Sequence, residues 1–145
     1  MRVDFYQLGE ATAESVIASV GQRLLGDGQR LLVVAGDEAL LARLDRMLWD
    51  QGAASFIPHG LAGGNDDSAQ PILLSSGSDA PNRARNLLIA DGEWREAALG
   101  YDRAFYLFDG DSVEPARLAW KLLAGRDSVE RHYWASEDGR WVKKA

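Results

Sequence analysis

Apolar residues recur along this chain in two rhythms, one of strands and one of helices. Val3 to Leu8 predicts a short strand. A helix is predicted from about Thr12, with Val16, Ile17, Val20, Leu24 and Leu25 on one side. It should stop at Gly26-Asp27-Gly28, where glycine takes the left-handed conformation cheaply. Arg30 to Ala35 is apolar without alternation, the signature of a strand buried on both faces. Gly36-Asp37 makes a tight turn, and Asp37 can cap the helix Glu38 to Asp50, whose Leu40, Leu41, Leu44, Met47 and Leu48 share one face. Phe56-Ile57 reads as a brief strand and Gly60 to Gln70 as a loop rich in glycine and aspartate. Pro71 to Ser75 and Leu87 to Ala90 predict strands joined by a polar loop through Gly77, Pro81 and Asn82. Glu93 to Leu99 reads as a short helix, Arg103 to Phe108 as a buried strand, and Asp109-Gly110-Asp111 as a turn. Ser112 is placed to cap a helix running to about Ala124, with Leu118, Ala119, Leu122 and Leu123 as its buried stripe. The tail from Arg131 to Lys144 is aromatic and charged, with a hairpin predicted about Asp138-Gly139.

Strands alternating with helices predict an α/β layered fold with a mostly parallel central sheet flanked by helices, Rossmann-like in plan. The 145 residues, 46% hydrophobic, suit one domain spanning 1–145. There are no cysteines, so disulfides, thiolate metal sites and a cysteine nucleophile are excluded. His59 and His132 do not stand in a metal-ligand spacing. The opening Met-Arg-Val-Asp-Phe-Tyr lacks the apolar core of a signal peptide, and no run has the length of a membrane span, so a cytoplasmic location is expected. The net charge of −6 argues against a broad nucleic-acid footprint. From Asp111 onward, however, basic residues slightly outnumber acidic ones, which suits a localised site for an anionic partner as well as an ordinary mixed surface.

Two tryptophans change this picture. Trp49 projects about 140° from the centre of its helix's apolar stripe, among Ala42, Asp45 and Arg46. An indole there is either an interface anchor or covered by a neighbouring loop of the same chain. Trp120 falls at the margin of the last helix's stripe, and helical geometry makes Arg117 and Lys121 its neighbours. An apolar ring with two cations at its lip suits an acidic peptide; the plainer reading is a core-edge ring beside solvated charges.

Catalytic chemistry is hard to find. Gly9-Glu10 follows the first strand and Gly36-Asp37-Glu38 the second, neither a phosphate-binding fingerprint, and in the latter two carboxylates would meet any phosphate. No serine occupies a nucleophile elbow. Asp66-Asp67 reads as solvated rather than metal-binding, Asp109 and Asp111 as turn-formers, and His59 as a base without an adjacent nucleophile. The reading is no catalytic residue, no cofactor and no metal.

Leu44-Asp45-Arg46-Met47-Leu48-Trp49, followed by Ser55-Phe56-Ile57-Pro58-His59-Gly60-Leu61-Ala62-Gly63, resembles the signature of the chi subunit of bacterial DNA polymerase III holoenzyme. Ala116-Arg117-x-x-Trp120-Lys121 is similar in order and spacing, whereas the tail after Ala124 differs from the family's usual forms. The resemblance implies a non-catalytic connector. It binds the psi subunit of the clamp loader and the acidic C-terminal tail of single-stranded-DNA-binding protein, and touches DNA only indirectly. By motif, Arg117, Trp120 and Lys121 match the tail-binding positions. Trp49, Phe56, Pro58 and Leu61 match the face for psi, or for a competing helicase partner. The rival is a small nucleotide- or phosphate-binding α/β enzyme, which needs clustered polar groups at the strand ends. A third reading is a direct single-stranded-DNA binder using Trp120 and the C-terminal aromatics, which needs a longer basic groove than the sequence displays.

Overall fold

The computed structural model describes residues 1–50 and 57–145. One sheet of eight strands runs through it: β1 (Arg2–Gln7), β2 (Leu31–Val34), β3 (His59–Leu61), β4 (Ile72–Ser75), β5 (Asn86–Ile89), β6 (Arg103–Phe108), β7 (Glu130–Glu137) and β8 (Arg140–Lys143). Their spatial order is β3-β4-β2-β5-β6-β1-β7-β8. Every pairing is parallel except the last, β7 with β8. The expected α/β fold with a mostly parallel sheet is therefore what the chain forms. β2 lies between β4 and β5, and all four of its residues are buried, as its unbroken apolar run required.

Among the described residues three α-helices cover the sheet: α1 (Ala13–Gly26), α2 (Glu38–Trp49) and α3 (Val113–Ala124). α1 and α2 bury Ile17, Val20, Leu44 and Leu48 against one face, with Tyr6, Val33, Leu74 and Leu107. α3 packs Ala116, Ala119 and Leu123 on the other face, over Phe5, Ala104 and Phe108. The predicted caps of the first two helices form. The Thr12 hydroxyl accepts from the Ser15 amide at 3.1 Å and Asp37 from the Ala39 amide at 2.9 Å. Gly28 follows the end of α1 at φ +71°, the left-handed conformation expected there.

Several expectations need correction. Phe56 lies outside the described residues, and the strand of that region is His59–Leu61, so part of the predicted loop is sheet. The helix expected over 93–99 is a 3-10 turn at Glu96–Gly100. Asp91 explains it: its carboxylate holds the Gly36 amide, the Glu93 amide and the Arg95 guanidinium, which fixes the residues before that turn as an irregular clamp. Ser112 takes the N-cap position of α3, but its hydroxyl accepts from the Asp109 amide instead of capping the helix.

The largest correction is the face of α3. Leu118 is 68% exposed and Leu122 49%. The buried stripe is Ala116, Ala119 and Leu123, with Trp120 at its margin. Alanines let the helix lie close to the sheet and leave room for the indole beside it. A count of hydrophobic character alone favours the leucines and so rotates the helix wrongly.

The tail forms the predicted hairpin. Asp138 and Gly139 have φ of 51° and 77°, the two left-handed positions of a type I′ turn. The sequence did not show that β7 would join the main sheet beside β1, with Tyr6 opposite Trp134. Asp4 is fully buried at that seam. Its carboxylate accepts from Arg2, Arg103 and the Trp134 indole N–H at 2.9–3.2 Å. Burial alone would raise the Asp4 carboxyl; hydrogen bonds from Arg2 and Trp134, and the charge of Arg103, outweigh it and hold it below the usual carboxylate range.

Candidate functional site

α3 brings its three predicted residues together. Arg117, Trp120 and Lys121 all line one pocket of about 340 Å³ beside the ends of β1 and β6. Gln7 and Phe108, the last residues of those strands, form its floor, and Tyr133 of β7 closes one side. Trp120 is a wall of this pocket rather than a free ring. It meets Phe5 edge-on at 5.1 Å and Tyr133 at 5.9 Å between centroids. Arg131 lies over its face with the guanidinium carbon 4.0 Å from the centroid, and donates to the Trp120 carbonyl at 2.7 Å. The Tyr133 hydroxyl is fixed by the Gln7 amide oxygen. The ring is therefore held rigidly, while the two cations stand exposed at the rim.

Arg117 is held by Glu114 at 3.0 Å in an exposed i, i+3 pair. Such pairs contribute about 0.3–0.5 kcal/mol, so an incoming carboxylate displaces Glu114 at little cost. Tyr133 and Arg131 belong to this site although neither was singled out from the sequence. Both lie on β7, and only the unforeseen pairing of β7 with β1 carries them there.

The second predicted set lies where α2 meets β3. Trp49, the last residue of α2, is 58% exposed, so its place on the polar side of the helix is what the structure shows. Its ring packs on the His59 ring at 5.0 Å. His59 is buried: Nδ1 lies 2.8 Å from the Ile57 carbonyl and Nε2 3.0 Å from the Asp45 carboxylate. These contacts tie β3 to α2, and they explain His59 structurally rather than as a base. Pro58 is exposed, and Leu61 is 43% exposed on the same edge. Trp49 and Leu61 thus both border the junction of α2 and β3, Trp49 at the carboxyl end of α2 and Leu61 beside its amino half, with Pro58 just before β3; Phe56 lies outside the described residues.

The crevice that such sheets use for nucleotides, beyond the carboxyl ends of the strands, is present with about 470 Å³. Its lining is wrong for phosphate. Glu14, Asp37, Asp91 and Asp109 face it, and its arginine, Arg43, pairs with Glu14 at 3.1 Å. Burial would raise the Asp91 carboxyl, but Arg95 and two backbone amides hold it low and charged. Asp67 and Asp109 are engaged in turns. Asp67 accepts from the Gly63 and Gly64 amides, and Asp109 from the Asp111 amide. Among the described residues no group of three metal-ligating side chains converges.

The family described as DNA polymerase III chi subunit, HolC, matches residues 1–129. A DNA polymerase III subunit chi of Pseudomonas aeruginosa is 33% identical over 91 residues, covering 61% of this chain and 62% of that protein. The Escherichia coli K12 protein of the same name is 29% identical over 82 residues, covering 57% of this chain and 56% of that protein. The matched stretches therefore span less than two thirds of these relatives. The family match ends one residue before β7, so the hairpin that completes the Trp120 pocket lies beyond it. On the match across residues 1–129, the chain belongs to the DNA polymerase III chi subunit family.

Proposed function

We propose that this chain is a non-catalytic accessory subunit of the replicative DNA polymerase III holoenzyme, needing no cofactor and working in the cytoplasm. It links the psi subunit of the clamp loader to the acidic C-terminal tail of single-stranded-DNA-binding protein. The observation that carries the tail site is the Trp120 pocket: a rigid aromatic wall with Arg117 and Lys121 exposed at its rim. An acidic peptide places its apolar end against the ring and its carboxylates on the cations. The exposed Trp49, Pro58 and Leu61 about the junction of α2 and β3 support the psi site, with a competing helicase as the other occupant of that face. The four carboxylates of the nucleotide crevice count against the rival enzyme reading.

Arg117 gives the direct test. Charge-assisted hydrogen bonds contribute about 1.5–3 kcal/mol when well formed and less when exposed. Arg117→Ala should weaken binding of a labelled acidic tail peptide about tenfold or more, read by fluorescence anisotropy, and leave psi binding intact. Wild-type affinity should fall as salt rises, because screening acts on the charged contacts. Unchanged affinity of the variant at low salt places the tail site elsewhere.

A further inference from the structure

The parallel sheet gathers arginines at the amino ends of its strands. Arg2 opens β1, Arg103 opens β6, and the two are register partners. Arg85 precedes β5 and Arg30 precedes β2, which are paired in turn. With strands about 4.8 Å apart, the four backbone positions span about 15 Å along the end of the sheet, Arg2 and Arg103 leaving its α1 side and Arg30 and Arg85, one register position earlier, its other side. Arg83 and Arg23 extend this row, from the loop before β5 and the last turn of α1. Two pockets of about 590 and 340 Å³ hold all six arginines; Asp102 is the acidic residue of their lining, and buried Asp4 pairs with Arg2 and Arg103 from behind the second. Glu130 and Asp27 flank the row. On a chain of net charge −6 this is a concentrated basic band. It exists only in the fold, because its members are scattered from residue 2 to residue 103.

We infer that this edge binds single-stranded DNA directly, with phosphates on the arginine row and a base in the aromatic pocket at its β1–β7–β8 end. That pocket is lined by Tyr6, Trp134 and Trp141 together with Arg2, Arg23 and Arg103. Indole faces beside guanidinium groups provide the stacking and charge that single strands use. A duplex offers no free base to such a pocket. The arginines are available in different degrees. Arg23 and Arg83 are exposed and make no ion pair among the described residues, and Arg85 has only an exposed pair with Asp102. Arg30 is fixed by one nitrogen to the Ser68 and Asn82 carbonyls at 2.8 and 2.9 Å.

The loop that presents Arg83 is built rather than loose. Buried Asn82 donates to the Leu31 and Gln70 carbonyls and accepts from the Ala84 amide. That clamp leaves Arg83 at φ +60°, a conformation uncommon for a residue with a side chain and associated with functional positions. The arginines are at the opposite ends of the strands from the Trp120 pocket and the aromatic pocket is on the other face of the sheet, so the site stands or falls apart from the tail site.

The test is anisotropy of a 5′-labelled oligo-dT of about 20 nucleotides against the full chain from low to moderate salt. Each phosphate contact contributes a slope of about −0.7 in log affinity against log salt. The double variant Arg23→Gln/Arg83→Gln should bind at least tenfold more weakly at low salt, with the slope shallower by about 1.4. Its melting temperature and its affinity for the acidic tail peptide should match wild type. Should the double variant melt early, Arg85→Gln serves instead, with a slope change of about 0.7. Absence of saturable oligo-dT binding by wild type at low salt overturns the proposal, as does an unchanged slope in the variants. A poly-glutamate peptide of equal charge that binds at least as tightly makes the edge a site for acidic protein and overturns the DNA assignment.

Discussion

Asp4→Ala should cost about 3 kcal/mol of stability, the lower end of the range for breaking a buried ion pair. The lower end applies because Arg2 and Arg103 reach solvent on their outer sides, while Asp4 itself is fully buried. The loss has three parts. Two guanidinium groups lose the carboxylate that neutralises them, the Trp134 indole loses its acceptor, and the side chain leaves a gap where β7 docks on β1. At roughly 3 °C per kcal/mol for a chain of this size, the melting temperature should fall by about 10 °C. The effect depends on pH with a definite sign. The folded state holds the Asp4 carboxyl below its ordinary value, so the stabilisation is complete above about pH 4 and declines as pH falls through the folded value. Thermal melts of both proteins from neutral pH to about pH 3 should therefore show the gap narrowing on the acid side. A gap that stays constant with pH, or a variant that melts like wild type at pH 7, removes Asp4 from this role.

What the sequence made legible follows from which interactions are local. Thr12, Asp37 and the Asp138-Gly139 turn are recognisable because a cap or a hairpin is decided within a few residues. The unbroken run Leu31–Val34 announces a doubly covered strand for the same reason. Trp49 is legible because an amphipathic helix fixes its direction once the stripe is known. α3 failed this test, since Ala116 and Ala119 carry too little hydrophobic character to outvote Leu118 and Leu122. Close approach of helix and sheet decided that face, and approach distance depends on the partner. Tyr133 and Arg131 were missed because their place depends on β7 pairing with β1, more than 120 residues away in sequence. The arginine row was missed for a related reason. A net charge sums over the whole chain, whereas strand order concentrates residues from distant segments on one edge. Local chemistry is thus readable from the chain, and convergence is readable only from topology.

Trp49 separates an interface anchor from a core residue. The side chain closes the end of α2 with more than half its surface outside, and its ring packs on His59. Truncation to alanine leaves Leu41, Leu44 and Leu48, the buried part of the stripe, in place, so folding should lose no more than about 1 kcal/mol. An indole at the centre of a protein interface behaves differently, because its removal opens a cavity between the partners and readmits water; anchors of this kind contribute about 2 kcal/mol or more. Trp49→Ala should therefore weaken the complex with psi by roughly thirtyfold, at about 1.4 kcal/mol for each factor of ten. Leu61→Ala, which removes a smaller side chain from the same junction, should weaken it by less. Calorimetric titration of psi into each variant, alongside thermal melts, distinguishes the two roles. If Trp49→Ala melts many degrees early and still binds psi like wild type, the ring belongs to the α2–β3 core and the proposed assignment of this face to psi fails.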